Sequence, residues 1–443
     1  MKLPPQPKGA PIMGHLKQFK NDPIKFMLES SEEFGDIMLF KIFRKKIYFI
    51  NDPALIKHVL QDNHKNYIKS TGYKPMRLIV GNGMLTSDGE SWVRSRKFSQ
   101  SAFNNTAIRS YVGAVNENAE RLVADWKSIA ENEGEINASH EMAKITLAVI
   151  GETLFSTRID YGTELSNNIN YVLEYAGERA LRNPFVFPAN WPTAKNKKFI
   201  KAKAELDELI YGIIESKRNS NDTEGDTLSR LMNHTEESGD GLSDQELRDE
   251  VMTIFLAGHE TTSNTMSWAL YCIGINPEIQ EKIYAETQKL EGAKIDYEDL
   301  HDLVYTTQVI SETMRLYPAA WHMGRMNLEA DKLGDYELPA GSHVRISALA
   351  LHRRSEFWTS PLEFNPDRFH PSKAKDQQPY CFIPFGGGPR LCVGRNFAMM
   401  EMVILLATIV KNYKISYTGP APEMAPNITL ATKKSVKINI IRR

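Results

Sequence analysis

A mainly α fold with small β-sheets, in class terms α+β, is what this sequence predicts, and three observations predict it. The run Ser243–Ile275 carries the start, body and stop signals of one long helix. Most of the region from Asn116 to Glu215 reads as helix. Two short runs rich in β-branched and aromatic residues, Asp36–Phe40 and Lys46–Ile50, read as paired strands, and Val436–Ile441 reads as a last one.

Each element has a local reason. Pro53 opens a helix after the paired strands. Breaks in the Asn116–Glu215 region are expected at Asn183-Pro184 and from Pro188 to Pro192, where proline removes donors and restricts its neighbours. Lys217–Asp240 is polar and charged around a short helical patch at Leu228–Met232, and is expected to be an exposed connection. In the long helix Ser243 and Glu246 form a capping box, Leu242 can staple against Leu247, and Asn276-Pro277 is the stop. At 1.5 Å per residue it spans roughly 48 Å. Val251–Leu256 is apolar almost all round, which implies burial. Beyond Arg325 the chain turns strand-like and loop-rich.

Composition narrows the function classes. The 443 residues are 42% hydrophobic and 25% charged with a net charge of −1, so a globular protein is expected and no nucleic-acid partner is implied. Three cysteines, Cys272, Cys381 and Cys392, are too few and too odd for a disulfide framework and fit a reducing, cytoplasmic setting. The Pro-rich opening holds no apolar run long enough for a signal or anchor, so no membrane anchor is expected. No histidine pair has zinc spacing, and Cys272 and Cys381 lack the context of reactive thiols.

The segment Phe385-Gly-Gly-Gly-Pro-Arg390-Leu-Cys392-Val-Gly394 carries the chemistry. It sets one cysteine in a glycine-rich loop before an apolar helix running from Asn396. A thiolate is a strong ligand for iron, and cysteine ligation pushes electron density onto a haem so as to favour O–O cleavage. Glycines such as Gly388 and Gly394 let backbone approach a flat cofactor. The helix N-terminus is expected to lower the thiol pKa and to supply N–H donors to the sulfur. Phe385 can shield the sulfur, and Arg390 can reach a negatively charged edge.

A second motif, Ala257-Gly258-His259-Glu260-Thr261-Thr262, lies inside the long helix. Thr261 can bond back to the Ala257 carbonyl, and with Gly258 this is expected to open the helix ladder into a groove. A hydroxyl beside a carboxylate suits proton delivery. Glu312 and Arg315, at i and i+3, share a helix face before Pro318. Trp92 and Arg96, four apart on a helix after Asp88-Gly89, are good donors for a carboxylate.

The spacing Phe385, Gly388, Arg390, Cys392, Gly394 resembles the signature of the cytochromes P-450, the haem-thiolate monooxygenases, in their soluble bacterial type. Ala257–Thr262 is similar to that family's oxygen-side motif, and Asn365-Pro366-Asp367-Arg368-Phe369 to its Pro-x-Arg-Phe element. The resemblance implies a triangular fold, with haem b (iron protoporphyrin IX) between the long helix and the helix of the cysteine loop. It also implies a single domain over 1–443, β-rich at about 30–70 and 325–380. Cys392 would be the axial ligand, and Thr261 with Glu260 the catalytic proton relay. Trp92, Arg96, Arg325 and Arg390 would hold the propionates, and Glu312, Arg315 and Arg368 would form a structural triad.

By the same resemblance the substrate pocket is lined by five stretches: Met76–Leu85, Arg179–Phe187, Ile254–Thr261, Ala319–Met323 and Asn427–Leu430. Met84, Leu85, Phe255, Ala257, Ala320 and Leu430 would make an apolar shell, with Arg179, Arg182, Trp321 and His322 as polar or aromatic additions. If the arginines point inward, a fatty acid could be held by its carboxylate and hydroxylated. Asn190–Asn196 is similar to fatty-acid hydroxylases. Stacking on Trp321 and a hydrogen bond from His322 would instead suit a methylated sugar, with O-demethylation as the outcome.

O2 is the expected cosubstrate. NAD(P)H electrons would arrive indirectly through a ferredoxin or flavodoxin with its reductase, docked near Arg94, Lys97 and Arg395. A monomer is expected. A peroxide-driven peroxygenase or isomerase is the competing enzyme class, and Glu260-Thr261 counts against it. A haem-based sensor or carrier is the non-enzymatic alternative.

Overall fold

The computed structural model describes residues 2–159, 161–182, 187–219, 226–237, 241–292 and 294–443. Its longer helices, in chain order, are α1 (Pro23–Phe34), α2 (Gly89–Ala102), α3 (Asn105–Glu131), α4 (Ala138–Phe155), α5 (Thr163–Gly177), α6 (Ala194–Asn219), α7 (Thr227–Glu237), α8 (Asp244–Ile275), α9 (Pro277–Thr287), α10 (Val304–Leu316) and α11 (Arg395–Asn412). Strands β1 (Ile37–Ile42), β2 (Lys45–Ile50), β3 (Tyr67–Lys69), β5 (Met323–Asn327) and β6 (His343–Ile346) make one sheet in the order β1-β2-β6-β5-β3; β4 (Glu135–Asn137), β7 (Tyr413–Ser416) and β8 (Lys437–Arg442) make a second in the order β4-β8-β7. The expected mainly α architecture is present.

The core lies where the helices cross. α8 begins at the expected capping box: the Ser243 side chain accepts from the Glu246 N–H, and the Glu246 carboxylate accepts from the Ser243 N–H at 2.8 Å. From Leu247 to Leu256 every residue of α8 is buried. α11 is buried over most of its length, from Phe397 to Val410. Burial on all sides is what a helix apolar all round requires.

The large sheet joins distant parts of the chain. β1 and β2 form an antiparallel hairpin from Ile37↔Ile50 to Ile42↔Lys45. β2 then pairs in parallel with β6, Ile47 opposite His343, and β5 runs antiparallel to β6 and β3. In this register Lys69 lies directly opposite Arg325. In the second sheet Ile438 of β8 faces Ile136 of β4, and Ile440 faces Ile415 of β7.

Several expectations need correction. Asn116–Glu215 is interrupted at residues 156–159 and 161–162 and contains β4, because Glu135–Asn137 finds an edge of β8 that no local signal announces. The Asn183-Pro184 break lies outside the described residues. The described part of Lys217–Asp240 is not an exposed connection. Asp226 caps α7 by accepting from the Ser229 N–H at 2.7 Å, pairs with Lys217 at 2.9 Å, and is buried with it. Leu228 and Leu231, one helical turn apart, are fully buried. The helix ladder does not break at Gly258: α8 runs unbroken from Asp244 to Ile275. A Cβ there would stand 2.8 Å from Ile150 Cδ1, so the glycine lets α4 approach α8 closely.

Candidate active site

The cysteine loop is shaped by its backbone. The Cys392 N–H donates to the Phe385 carbonyl at 3.0 Å and closes the loop on itself. Gly388 has a φ of +64°, and a side chain there would run into the backbone carbonyl of Leu60, so only glycine fits. Its N–H donates to the Tyr380 hydroxyl at 3.0 Å, which donates in turn to Gln61 at 2.6 Å. Cys392, Phe385, Gly394 and Arg390 line a cavity of about 320 Å³, and Ala257, Gly258, Thr261, Thr262 and Thr265 of α8 line it too.

The Cys392 thiol departs from expectation in one respect. Cys392 is open to the cavity, yet the protein around the thiol desolvates it and pushes its pKa up, while a hydrogen bond from the Gly394 backbone and the charge of Arg96 oppose that. Desolvation of a bare thiolate outweighs the helix end here, and an iron partner would relieve it.

One edge of the cavity is cationic. Trp92, Arg96, Arg325 and Arg390 line it, and so does Lys69, which the sequence reading missed. Arg96 donates to the Leu391 carbonyl at 2.7 Å. Arg390 lies over the Trp92 ring at 4.4 Å and donates to Asp88 at 2.7 Å. Arg325 is 5% exposed. Burial holds the Lys69 ammonium well below its ordinary pKa, and the charges of Arg325 and Arg390 lower it further. Burial likewise lowers Arg390 to about 10. Four basic side chains meet one bonded carboxylate there, Asp88 on Arg390, a donor set short of negative charge. The two propionates of a haem supply what that set lacks, and the thiol of Cys392 supplies an iron ligand. The residues present fit the group.

The oxygen-side motif is split by the helix. The Thr261 hydroxyl lines the cavity and donates to the Ala257 carbonyl at 2.6 Å, the expected back-bond. Glu260 does not line the cavity. Its carboxyl is hydrogen-bonded to Thr429, and burial pushes its pKa up to about 7. Asn264, one turn on, donates to the same Thr429 hydroxyl at 2.9 Å. His259 faces the Ala143 carbonyl at 3.1 Å, and burial lowers it to about 4.

The structural triad converges. Arg315 and Glu312 are fully buried and joined by two hydrogen bonds of 2.7 and 2.8 Å, and Arg368 reaches Glu312 at 3.3 Å. Arg315 also donates to the carbonyls of His352, Pro361 and Glu363.

The cavity gathers only part of the expected substrate shell. Met84, Leu85, Ala320 and His322 line it, with Leu154, Ile254, Ala319 and Met323. Phe255 and Leu430 are fully buried and turned into the core instead. Trp321 is also fully buried; its ring N–H donates to the Asn427 carbonyl at 3.0 Å, away from the cavity. Arg179 donates to the Phe187 carbonyl at 2.9 Å and to Asn196 at 3.1 Å and does not line the cavity. The Arg182 side chain lies outside the described residues. These misplacements share one cause: the direction each side chain takes toward or away from the cavity is fixed by packing, and sequence position within a stretch that meets the cavity does not set it.

Lys97 and Arg395 are exposed, but Arg94 is committed to Glu246 at 3.3 Å and to the Gly241 carbonyl at 2.6 Å. Among the described residues no helix is long and apolar enough to cross a membrane.

A family model described as Cytochrome P450 matches residues 4–440. The chain is 33% identical over 429 residues to a cyclooctatin synthase of Streptomyces melanosporofaciens, covering 95% of this chain and 92% of that protein. It is 31% identical over 413 residues to a cyclooctat-9-en-7-ol 5-monooxygenase of the same species, covering 92% and 88%. To a pentalenene oxygenase of Streptomyces avermitilis it is 28% identical over 429 residues, covering 96% and 94%.

Proposed function

The chain belongs to the cytochrome P450 family, and from that premise we propose that it hydroxylates a compact, apolar, cyclic molecule held between the Met84–Leu85 loop and the cavity face of α8. It is a monooxygenase that works with a cysteine-ligated haem, O2 and reducing equivalents from a partner protein. One oxygen atom enters a substrate C–H bond; the other leaves as water, with two electrons and two protons consumed. The haem, when bound, supplies the oxygen activation.

The protein's own groups do the rest. Cys392 is the ligand, and Lys69, Arg96, Arg325 and Arg390 with the Trp92 N–H hold the propionates. The Phe385 ring keeps water from the sulfur. The Thr261 hydroxyl keeps its own proton on the Ala257 carbonyl and offers its lone pairs to the cavity, so it can take a proton from one donor and pass its own on. Glu260 carries a proton over part of the neutral range and is the nearest acid along α8, but it must leave Thr429 to deliver it. The electron donor is a ferredoxin or flavodoxin, for which Lys97 and Arg395 offer exposed cations.

The observation that carries the substrate class is the apolar share of the cavity wall: Met84, Leu85, Leu154, Ile254, Ala319 and Ala320 outnumber His322 and the threonines of α8 as a surface for a ligand. The arginine that would anchor a fatty acid is tied to Asn196, and the tryptophan that would stack on a sugar is in the core. The relatives' names, which speak of cyclooctat-9-en-7-ol and of pentalenene, agree with a largely apolar ring system.

A spin-state titration of the ferric holoprotein tests the reading. Pentalenene, a long-chain fatty acid and a methylated galactose are added separately and the Soret band is followed. A shift toward high spin with pentalenene alone supports it. A shift with the fatty acid or the sugar and none with pentalenene overturns it.

A further inference from the structure

We propose that Asp249 and Glu250 form a carboxylate latch that sets the shape of the substrate cavity by holding the loop from Gly81 to Ser87 against α8. The proposal rests on the reading of that cavity as the substrate site.

Two successive acids in a buried stretch of helix need a reason. Asp249 is 6% and Glu250 2% exposed. Neither faces the cavity; both face the loop. Asp249 accepts from the Asn82 N–H at 2.7 Å, and Glu250 from the Met84 N–H at 3.3 Å. Asp249 also accepts from Gln245 at 2.7 Å and from Arg248 at 2.9 Å, which fixes its orientation. Arg248 reaches on to Asp207 of α6 and donates to the Ile79 carbonyl at 2.7 Å just before the loop. One hydrogen-bonded group thus ties α6, the loop and α8 together.

The loop is seated closer than side chains allow. Gly81 has a φ of +60°, and a Cβ there would overlap the Asp249 carboxylate. A Cβ on Gly83 would overlap the Thr253 hydroxyl and crowd the Asp249 carbonyl. The Thr86 hydroxyl donates back to the Gly81 carbonyl at 2.7 Å and closes the turn. The residues this turn delivers to the cavity are Met84 and Leu85. The acids touch neither cofactor nor reacting atoms. They are positioning residues, acting through Met84 and Leu85 on what the cavity admits.

The test uses Asp249→Asn, Glu250→Gln and Gly83→Ala in the ferric holoprotein, each checked for the reduced carbon monoxide band of a thiolate haem. Amide hydrogen exchange is followed at residues 81–87, and binding of imidazole is compared with that of the bulkier 4-phenylimidazole. The expected result is exchange at Asn82 and Met84 faster by about tenfold, the factor for one lost charge-assisted hydrogen bond, with the affinity ratio moved toward the bulky azole. Gly83→Ala reproduces both by pushing from the loop side, so the proposal survives a failure of either acid variant to fold. Unchanged exchange at the loop in the variants that fold overturns it, as does faster exchange with an unchanged azole ratio. Failure of both azoles to perturb the Soret band would count against the haem-site reading instead, and the exchange rates would still decide the latch.

Discussion

Glu260 and Thr261 are neighbours in sequence, yet α8 turns them to different surroundings, and their consequences differ. Burial raises the Glu260 carboxyl from 4.5 to about 7. The folded protein therefore binds that proton more tightly than the unfolded chain does. Its contribution to stability is fully present below about 4.5 and is lost as pH rises through about 7. Glu260→Gln is expected to stabilise the holoprotein at about pH 8, by something on the order of 1–3 kcal/mol, and to change little at about pH 4; thermal unfolding at the two pH values checks it. Glu312→Gln leaves the fully buried Arg315 guanidinium without its ion partner. It is expected to cost about 3–5 kcal/mol, read as a lower urea midpoint and poor haem incorporation. Lys69→Met removes one of four cations at the cavity edge and is expected to speed haem transfer to a scavenging apoprotein by about tenfold. Cys392, Arg390 and the Glu312–Arg315 pair were legible because their spacing is local. Lys69 was not, because only the register of β3 on β5 sets it opposite Arg325.

Among the elements, α8 was legible to within a residue, since capping box, apolar body and Asn-Pro stop lie within the segment itself. α7 was half legible. Its helical patch was seen, but the charged residues around it suggested solvent, whereas Asp226 and Lys217 neutralise each other in the interior. Leu228→Ala separates the two readings. A residue on an exposed connection would change stability by under about 0.5 kcal/mol. The fully buried Leu228 is expected to cost about 2–5 kcal/mol, measured by urea unfolding. β4 is the opposite case: three residues become a strand only because β8 offers an edge, and nothing in Glu135–Asn137 says so.

At the scale of the molecule, the cavity's basic edge was legible and its apolar wall only in part. Iron ligation and propionate binding demand particular side chains at particular spacings. An apolar wall demands only size and direction, which packing decides. Trp321 and Phe255 show this: both fall in stretches that meet the cavity, and both turn their rings away from it. The sheets carry a different consequence. β2 pairs in parallel with β6, and β8 clasps β4, so strands from the first third of the chain wait for partners from the last. During synthesis the β1–β2 hairpin must stand with an open edge until hundreds of residues later are made, and closing such long loops is slow and leaves strands free to pair wrongly. Yield of correctly assembled protein should therefore depend on the pace of translation and on chaperone supply more than on the final stability of the fold. Slower synthesis at low temperature is expected to raise the fraction recovered with haem.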